Sequence, residues 1–162
     1  MFNRYNEFMT QLISTRADVV VNFCYLVTVA APIVCFWSVR LVRKKEFQKH
    51  CRVQTILLSV CVLAVLLLEG RIRMAGGAGA LVAGSRYADT SVFRTVAAIH
   101  IGGAVLTYIA WIWLVVVSRR AFGRTLPGSF SPTHKRFGWA VITGLCFTTV
   151  SATFVYYMGF VE

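Results

Sequence analysis

Charge is what this chain has least of. Asp, Glu, Lys and Arg make up 14% of its 162 residues, against about 25% in a soluble domain, and so few charges cannot clothe a surface in water. The sequence also has no phosphate-binding loop, no Gly-x-Ser-x-Gly elbow, no His-Glu-x-x-His pair and no long soluble segment. Any chemistry is thereby confined to a membrane bundle and its rims. Five cysteines, an odd number, include no Cys-x-x-Cys pair, which argues against a disulfide scaffold or a zinc site. Cys24, Cys35, Cys61 and Cys146 lie in apolar runs and read as small hydrophobes, whereas Cys51 lies in a basic stretch. No internal repeat and no signal peptide are evident, and the length suits one domain.

Apolar residues are abundant, 57% of the chain, and they gather into runs long enough to cross about 30 Å of hydrocarbon as helices. Spans are expected at about Val19–Val39, Val53–Arg73, Val92–Val117 and Gly138–Phe160. The second is ambiguous. Its apolar part, Val53–Leu68, is only sixteen residues, so the helix is expected to continue through Glu69, Arg71 and Arg73 toward Gly76. The Gly-rich stretch Gly76–Gly84 reads as an ordered loop, and Met1–Asp18, with Phe2, Tyr5, Phe8, Met9, Leu12 and Ile13 at helical spacing, reads as a short interfacial helix. The expected fold is all-α: an integral membrane four-helix up-down bundle.

Seventeen Lys and Arg against six acidic residues give a net charge of +11. Their placement between apolar runs speaks for topology and for anionic lipid, and against nucleic acid. Eleven basic residues flank the first-to-second and third-to-fourth connections (Arg40, Arg43, Lys44, Lys45, Lys49, Arg52, Arg119, Arg120, Arg124, Lys135 and Arg136), and six fall on the other side. That asymmetry puts the eleven in the cytoplasm and both termini outside it.

Only three histidines occur. His50 precedes the second span and His134 the fourth, at comparable depth on parallel helices, an arrangement able to ligate a haem iron axially or to hold a metal. Lys49, Arg52, Lys135 and Arg136 beside them can pair with propionates or another anion. The alternative is that both histidines are ordinary interfacial residues. His100 lies within the third span, where an ionisable group should face the interior with a partner. Glu69, at similar depth on the adjacent helix, is a natural partner, through a hydrogen bond or as the second ligand of one metal. Arg73, four residues from Glu69, is the rival for it. Asp18, Asn22, Tyr156 and Tyr157 are expected toward the same side, hydroxyls of the fourth span to bond the preceding turn or a neighbouring helix, and Trp37, Trp111, Trp113 and Trp139 to anchor at the interface.

From about Phe47 to Phe160 the order of these features resembles the YozB/CtaM-like family of small bacterial membrane proteins, a domain of unknown function. The resemblance is carried by Lys49-His50-Cys51-Arg52 ahead of one span, Ala98-Ile99-His100-Ile101 within the next, and His134-Lys135-Arg136-Phe137-Gly138-Trp139 ahead of the last. It implies a four-helix bundle of the bacterial inner membrane, associated with haem–copper terminal oxidases as an assembly or accessory factor, with functional roles for His50, His100 and His134. Members of the family carry histidines near the outer end of the second helix, where this chain has Glu69-Gly70-Arg71-Ile72-Arg73. An outer site would therefore use Glu69 in place of an imidazole, favouring a harder or more weakly held metal. The leading expectation is a non-enzymatic accessory protein of a respiratory complex holding haem b or a transition metal such as copper or iron: His50, His134, Arg52 and Arg136 for the haem, His100 and Glu69 for a metal. A b-type cytochrome, a purely structural subunit and a small transporter built on Glu69 are the alternatives.

Overall fold

A computed structural model describes residues 15–161, and most of the interfacial helix expected over Met1–Asp18 lies outside the described residues. Four long helices carry the fold: α1 (Val19–Arg43), α2 (Phe47–Met74), α4 (Ser91–Ala121) and α5 (Ser131–Tyr156), with a single helical turn α3 (Ala78–Leu81) and a π-helical turn over Tyr157–Val161. All four, α5 together with its π-helical extension, are long and apolar enough to cross a membrane. Side chains such as Leu26, Ile33, Leu66, Leu106 and Phe154 stay exposed around the outside, as a lipid-facing surface requires. α1 packs on α2, α4 on α5, and α1 on α5, with a looser α2–α4 seam. The bundle is thus two antiparallel hairpins side by side, with α2 and α5 on a diagonal.

The helices outrun the apolar runs. α2 begins at Phe47 and α5 at Ser131, and α1 and α4 extend to Arg43 and Ala121. Hydropathy marks where a helix meets hydrocarbon, but its backbone ladder continues through the headgroup layer, where Lys and Arg are good helix formers and snorkel. One consequence is that His50 and His134 sit in the first turns of helices and not in loops. α2 does continue past Glu69, ending where Gly76 and Gly77, both at positive φ, turn back so that the Gly77 N–H bonds the Ile72 carbonyl at 2.9 Å. The Gly-rich connection is ordered as expected and contains α3. Val82 is buried there against Phe93, Phe160 and Val21, and Ser85 Oγ donates to the Met158 carbonyl.

Packing between the long helices depends on small and hydroxylated residues. A Cβ at Gly103 would overlap the Phe147 ring, and one at Gly144 would collide with Thr107, so α4 and α5 approach closely at these glycines. Pro32 lies inside α1 and has no N–H, leaving the Thr28 carbonyl without its helical donor. Thr149 Oγ1 of α5 donates to that carbonyl at 2.8 Å. Thr148, Ser151 and Thr153 bond carbonyls of their own preceding turn at 2.8, 2.8 and 2.9 Å, as expected for the hydroxyl-rich helix. Cys24, Cys35 and Cys61 are buried and Cys146 is exposed, all of them free thiols.

Candidate functional site

Call the end of the bundle that carries the α1–α2 and α4–α5 connections the basic end. Each hairpin there presents one histidine in the same way. In the first, His50 on the first turn of α2 donates from Nδ1 to the Ser38 carbonyl of α1 at 3.1 Å. In the second, His134 on the first turn of α5 meets Ser118 Oγ of α4 through Nδ1 at 2.7 Å. Both rings are thus fixed from the preceding helix of their own hairpin. Across the diagonal the two ring centroids are 6.2 Å apart, with planes at 83°. The expected meeting of His50 and His134 at one level is observed.

For His50 the tautomer follows from the partner. A carbonyl only accepts, so Nδ1 of His50 holds the proton and Nε2 holds the lone pair. Among the described residues neither Nε2 has a hydrogen-bond partner, yet no buried side-chain N or O atom there lacks one. Both Nε2 atoms must therefore reach open space. Both histidines line a cavity of about 560 Å³ bounded by all four long helices, within the usual range for small-molecule pockets, about 300–1,000 Å³. Its walls include Val39, Trp111, Leu114, Phe122, Trp139 and Ile142. Toward the bundle centre lies a polar relay: Gln54 Nε2 donates to Ser38 Oγ at 2.6 Å, Ser38 Oγ to the Cys35 carbonyl at 2.7 Å, and Trp111 Nε1 to Gln54 Oε1 at 3.1 Å. The relay locks the α1 turn whose carbonyl holds His50.

Comparisons with protein-family models, with curated proteins and with solved structures return no match. The site's own chemistry has to carry the reading.

Several expectations change here. Arg52 and Arg136 are exposed and do not line the cavity; the cations that do are Arg43, Arg119 and Lys135. Arg52 and Arg136 each lie two residues beyond their histidine, about 200° around a helix of 3.6 residues per turn, which turns them away from it. Trp111 is not an interfacial anchor: it is 1% exposed and bonded to Gln54. Trp37 and Trp113 are exposed on the outside, and Trp139, also exposed, borders the cavity.

The largest correction concerns the opposite end. Glu69 and His100 are not partners. Glu69 is half exposed and pairs with Arg73 at 2.7 Å on its own helix, while His100 Nδ1 meets Ser151 Oγ of α5 at 2.9 Å. Ser151 gives its single proton to the Phe147 carbonyl at 2.8 Å, so His100 is the donor and the bond ties α4 to α5. Among the described residues no three His, Cys, Asp or Glu side chains cluster as a metal site. Glu69, on which the transporter alternative is built, is thus already paired with Arg73 on its own helix. Of the other polar residues expected at this end, Asp18, Asn22 and Tyr156 are engaged there. Asp18 pairs with Arg71, Asn22 Oδ1 accepts from Tyr156 Oη at 2.5 Å, and Tyr156 stacks on Tyr25 with centroids 4.3 Å apart.

Ser38, Gln54, Ser118, Arg43 and Arg119 were missed from sequence. Gln54 carried a usable signal, being the polar residue one turn after His50 in an apolar run.

Proposed function

We propose that this protein binds haem through His50 and His134 and serves as an accessory or assembly protein of a haem–copper-type respiratory complex in a bacterial inner membrane, with both termini outside the cytoplasm. One observation carries the haem reading: two imidazoles 6.2 Å apart, centroid to centroid, each held at Nδ1 and open at Nε2. Two imidazoles so placed would be the residues to hold a haem iron from either side. An Nδ1–H bond to a backbone carbonyl, as His50 makes to Ser38, is a usual support of a metal-ligating histidine.

The donor set discriminates among metals. Two imidazoles without a third or fourth protein ligand leave a bare zinc or copper(II) ion incompletely coordinated. A haem, which brings nitrogen ligands of its own, would need only these two imidazoles from the protein. Bound there, haem would supply reversible one-electron chemistry or be a cargo for delivery. The protein's part is to fix both rings, to bound the cavity with apolar walls that exclude water, and to present cations at its mouth. The accessory role rests on the order of histidine motifs along the spans, and the orientation on the eleven-to-six asymmetry of basic residues.

The same histidine geometry also favours a b-type electron-transfer cytochrome. Purification in mild detergent decides between them, with a reduced-minus-oxidised spectrum and identification of co-purifying subunits. Haem together with oxidase subunits supports the accessory role; a reversible haem couple without such subunits supports the cytochrome. Protein that neither retains nor takes up haem contradicts both.

A further inference from the structure

The basic end carries eleven Lys and Arg but only one acid, Glu46, and Glu46 is already paired with Lys49 at 3.0 Å. Three of the eleven line the histidine cavity: Arg43 from α1, Arg119 from α4 and Lys135 from α5. Among the described residues Arg43 and Lys135 have no ion-pair or side-chain hydrogen-bond partner, and Arg119 has only a long contact, 3.4 Å, to Thr55 Oγ1 across the loose α2–α4 seam. Opposite them the wall is apolar. Such a pocket is amphiphilic: apolar inside, cationic at one edge, and supplied with no counter-ion of its own.

We propose that Arg43, Arg119 and Lys135 form a carboxylate-reading rim, so that the cavity takes a planar apolar ligand bearing carboxylates along one edge and holds that edge toward the basic end. The proposal rests on the macrocycle reading above and adds the ligand's acidity and its direction. Two guanidinium groups on different helices suit two separate carboxylates, because each offers a planar fork of donors and stays charged at all working pH values. Apolar walls lower the local dielectric and strengthen each such bond. The three cations come from three helices, so a bound diacid would also tie the hairpins together over the α2–α4 seam.

The test uses the full chain in phosphatidylcholine nanodiscs and two metal-free probes, protoporphyrin IX and its dimethyl ester. Binding is read from quenching of tryptophan fluorescence, since Trp111 and Trp139 line the cavity. Without iron, histidine ligation does not enter, so this experiment and the axial-ligand reading fail separately. The expected result is a preference for the diacid over the ester of about tenfold or more. The Arg43→Gln/Arg119→Gln/Lys135→Gln variant should lose that preference while binding the ester unchanged. The control Arg52→Gln/Arg120→Gln/Arg136→Gln removes the same charge from positions off the cavity and should keep it. Equal binding of diacid and ester by the natural protein overturns the proposal. So does equal loss in the two triple variants, which would reveal a diffuse field and no rim. So would a rim variant that changes only the retention of phosphatidylglycerol, because the cations would then serve a lipid headgroup.

Discussion

The two ends of this bundle are built from the same kinds of residue to opposite effect. At the end opposite the basic one, Asp18 pairs with Arg71, Glu69 with Arg73, His100 with Ser151 and Tyr156 with Asn22. The Gly-rich connection packs there through Val82, buried with Val21, Phe93 and Phe160. Among the described residues the charges there are mixed, with Asp18, Glu69 and Asp89 set among Arg16, Arg71, Arg73, Arg86 and Arg94. At the basic end each histidine uses one nitrogen to hold still and keeps the other open, and cations line a cavity without carboxylates. A polar group in a membrane protein either finds an internal partner or waits for one from outside. The first arrangement ties the helices together at one end; the second leaves a cavity and its cations without internal partners.

Exchanging histidines breaks the comparison most forcefully. His50→Ala or His134→Ala should each abolish haem retention, with the double variant no worse, because a single imidazole leaves one axial position without its protein ligand. His100→Ala should leave haem retention intact and lower stability by about 0.6–1.7 kcal/mol, the usual range for an interhelical hydrogen bond in a membrane. Haem titration and thermal unfolding in detergent read the two effects. Haem loss in His100→Ala would erase the division between the ends.

A smaller effect is expected at mid-bundle. Thr149→Val strands the Thr28 carbonyl that Pro32 leaves open, at a cost of about 1–2 kcal/mol. In a Pro32→Ala background the helix supplies its own N–H to that carbonyl, and the same substitution should cost nearly nothing. A double-mutant cycle measures this, and additive losses would mean that Thr149 does not serve the carbonyl.

The smallest effect tests the neutralised end. Burial opposes ionisation of Asp18, but the Val21 and Val20 N–H groups and Arg71 outweigh it and hold its carboxyl below the usual value. A carboxyl lowered in the folded state adds stability that is fully present above its unfolded pKa, about 3.9 for Asp, and is lost as pH falls through the folded value. Melting temperature should therefore drop slightly below about pH 4, and Asp18→Asn should flatten that drop.

The four spans were legible because hydropathy and the thickness of hydrocarbon set them with no tertiary detail. The His50–His134 pair was legible for a related reason: both residues lie the same distance from the start of parallel helices, and counting along a helix measures depth well. Depth alone failed for Glu69 and His100. Counting put them at one level, but which way each side chain points depends on helix rotation, and Arg73 at i+4 was within reach of Glu69 whatever the packing. Trp111 failed similarly. Its place near a span's end suggested an anchor, whereas Gln54 on α2 accepts its N–H inside the bundle. Likewise, Arg52 and Arg136 are close to the histidines in sequence, but the cavity faces Arg43 and Arg119, whose approach depends on how the hairpins pack.

The central claim, axial ligation by His50 and His134 across the diagonal, is tested most directly by electron paramagnetic resonance of the ferric haem complex. Ring planes at 83° predict a low-spin signal of the strongly anisotropic kind that near-perpendicular axial imidazoles give, lost in either single histidine variant. A high-spin signal in the natural protein, or a low-spin signal that survives in His50→Ala or His134→Ala, would contradict it.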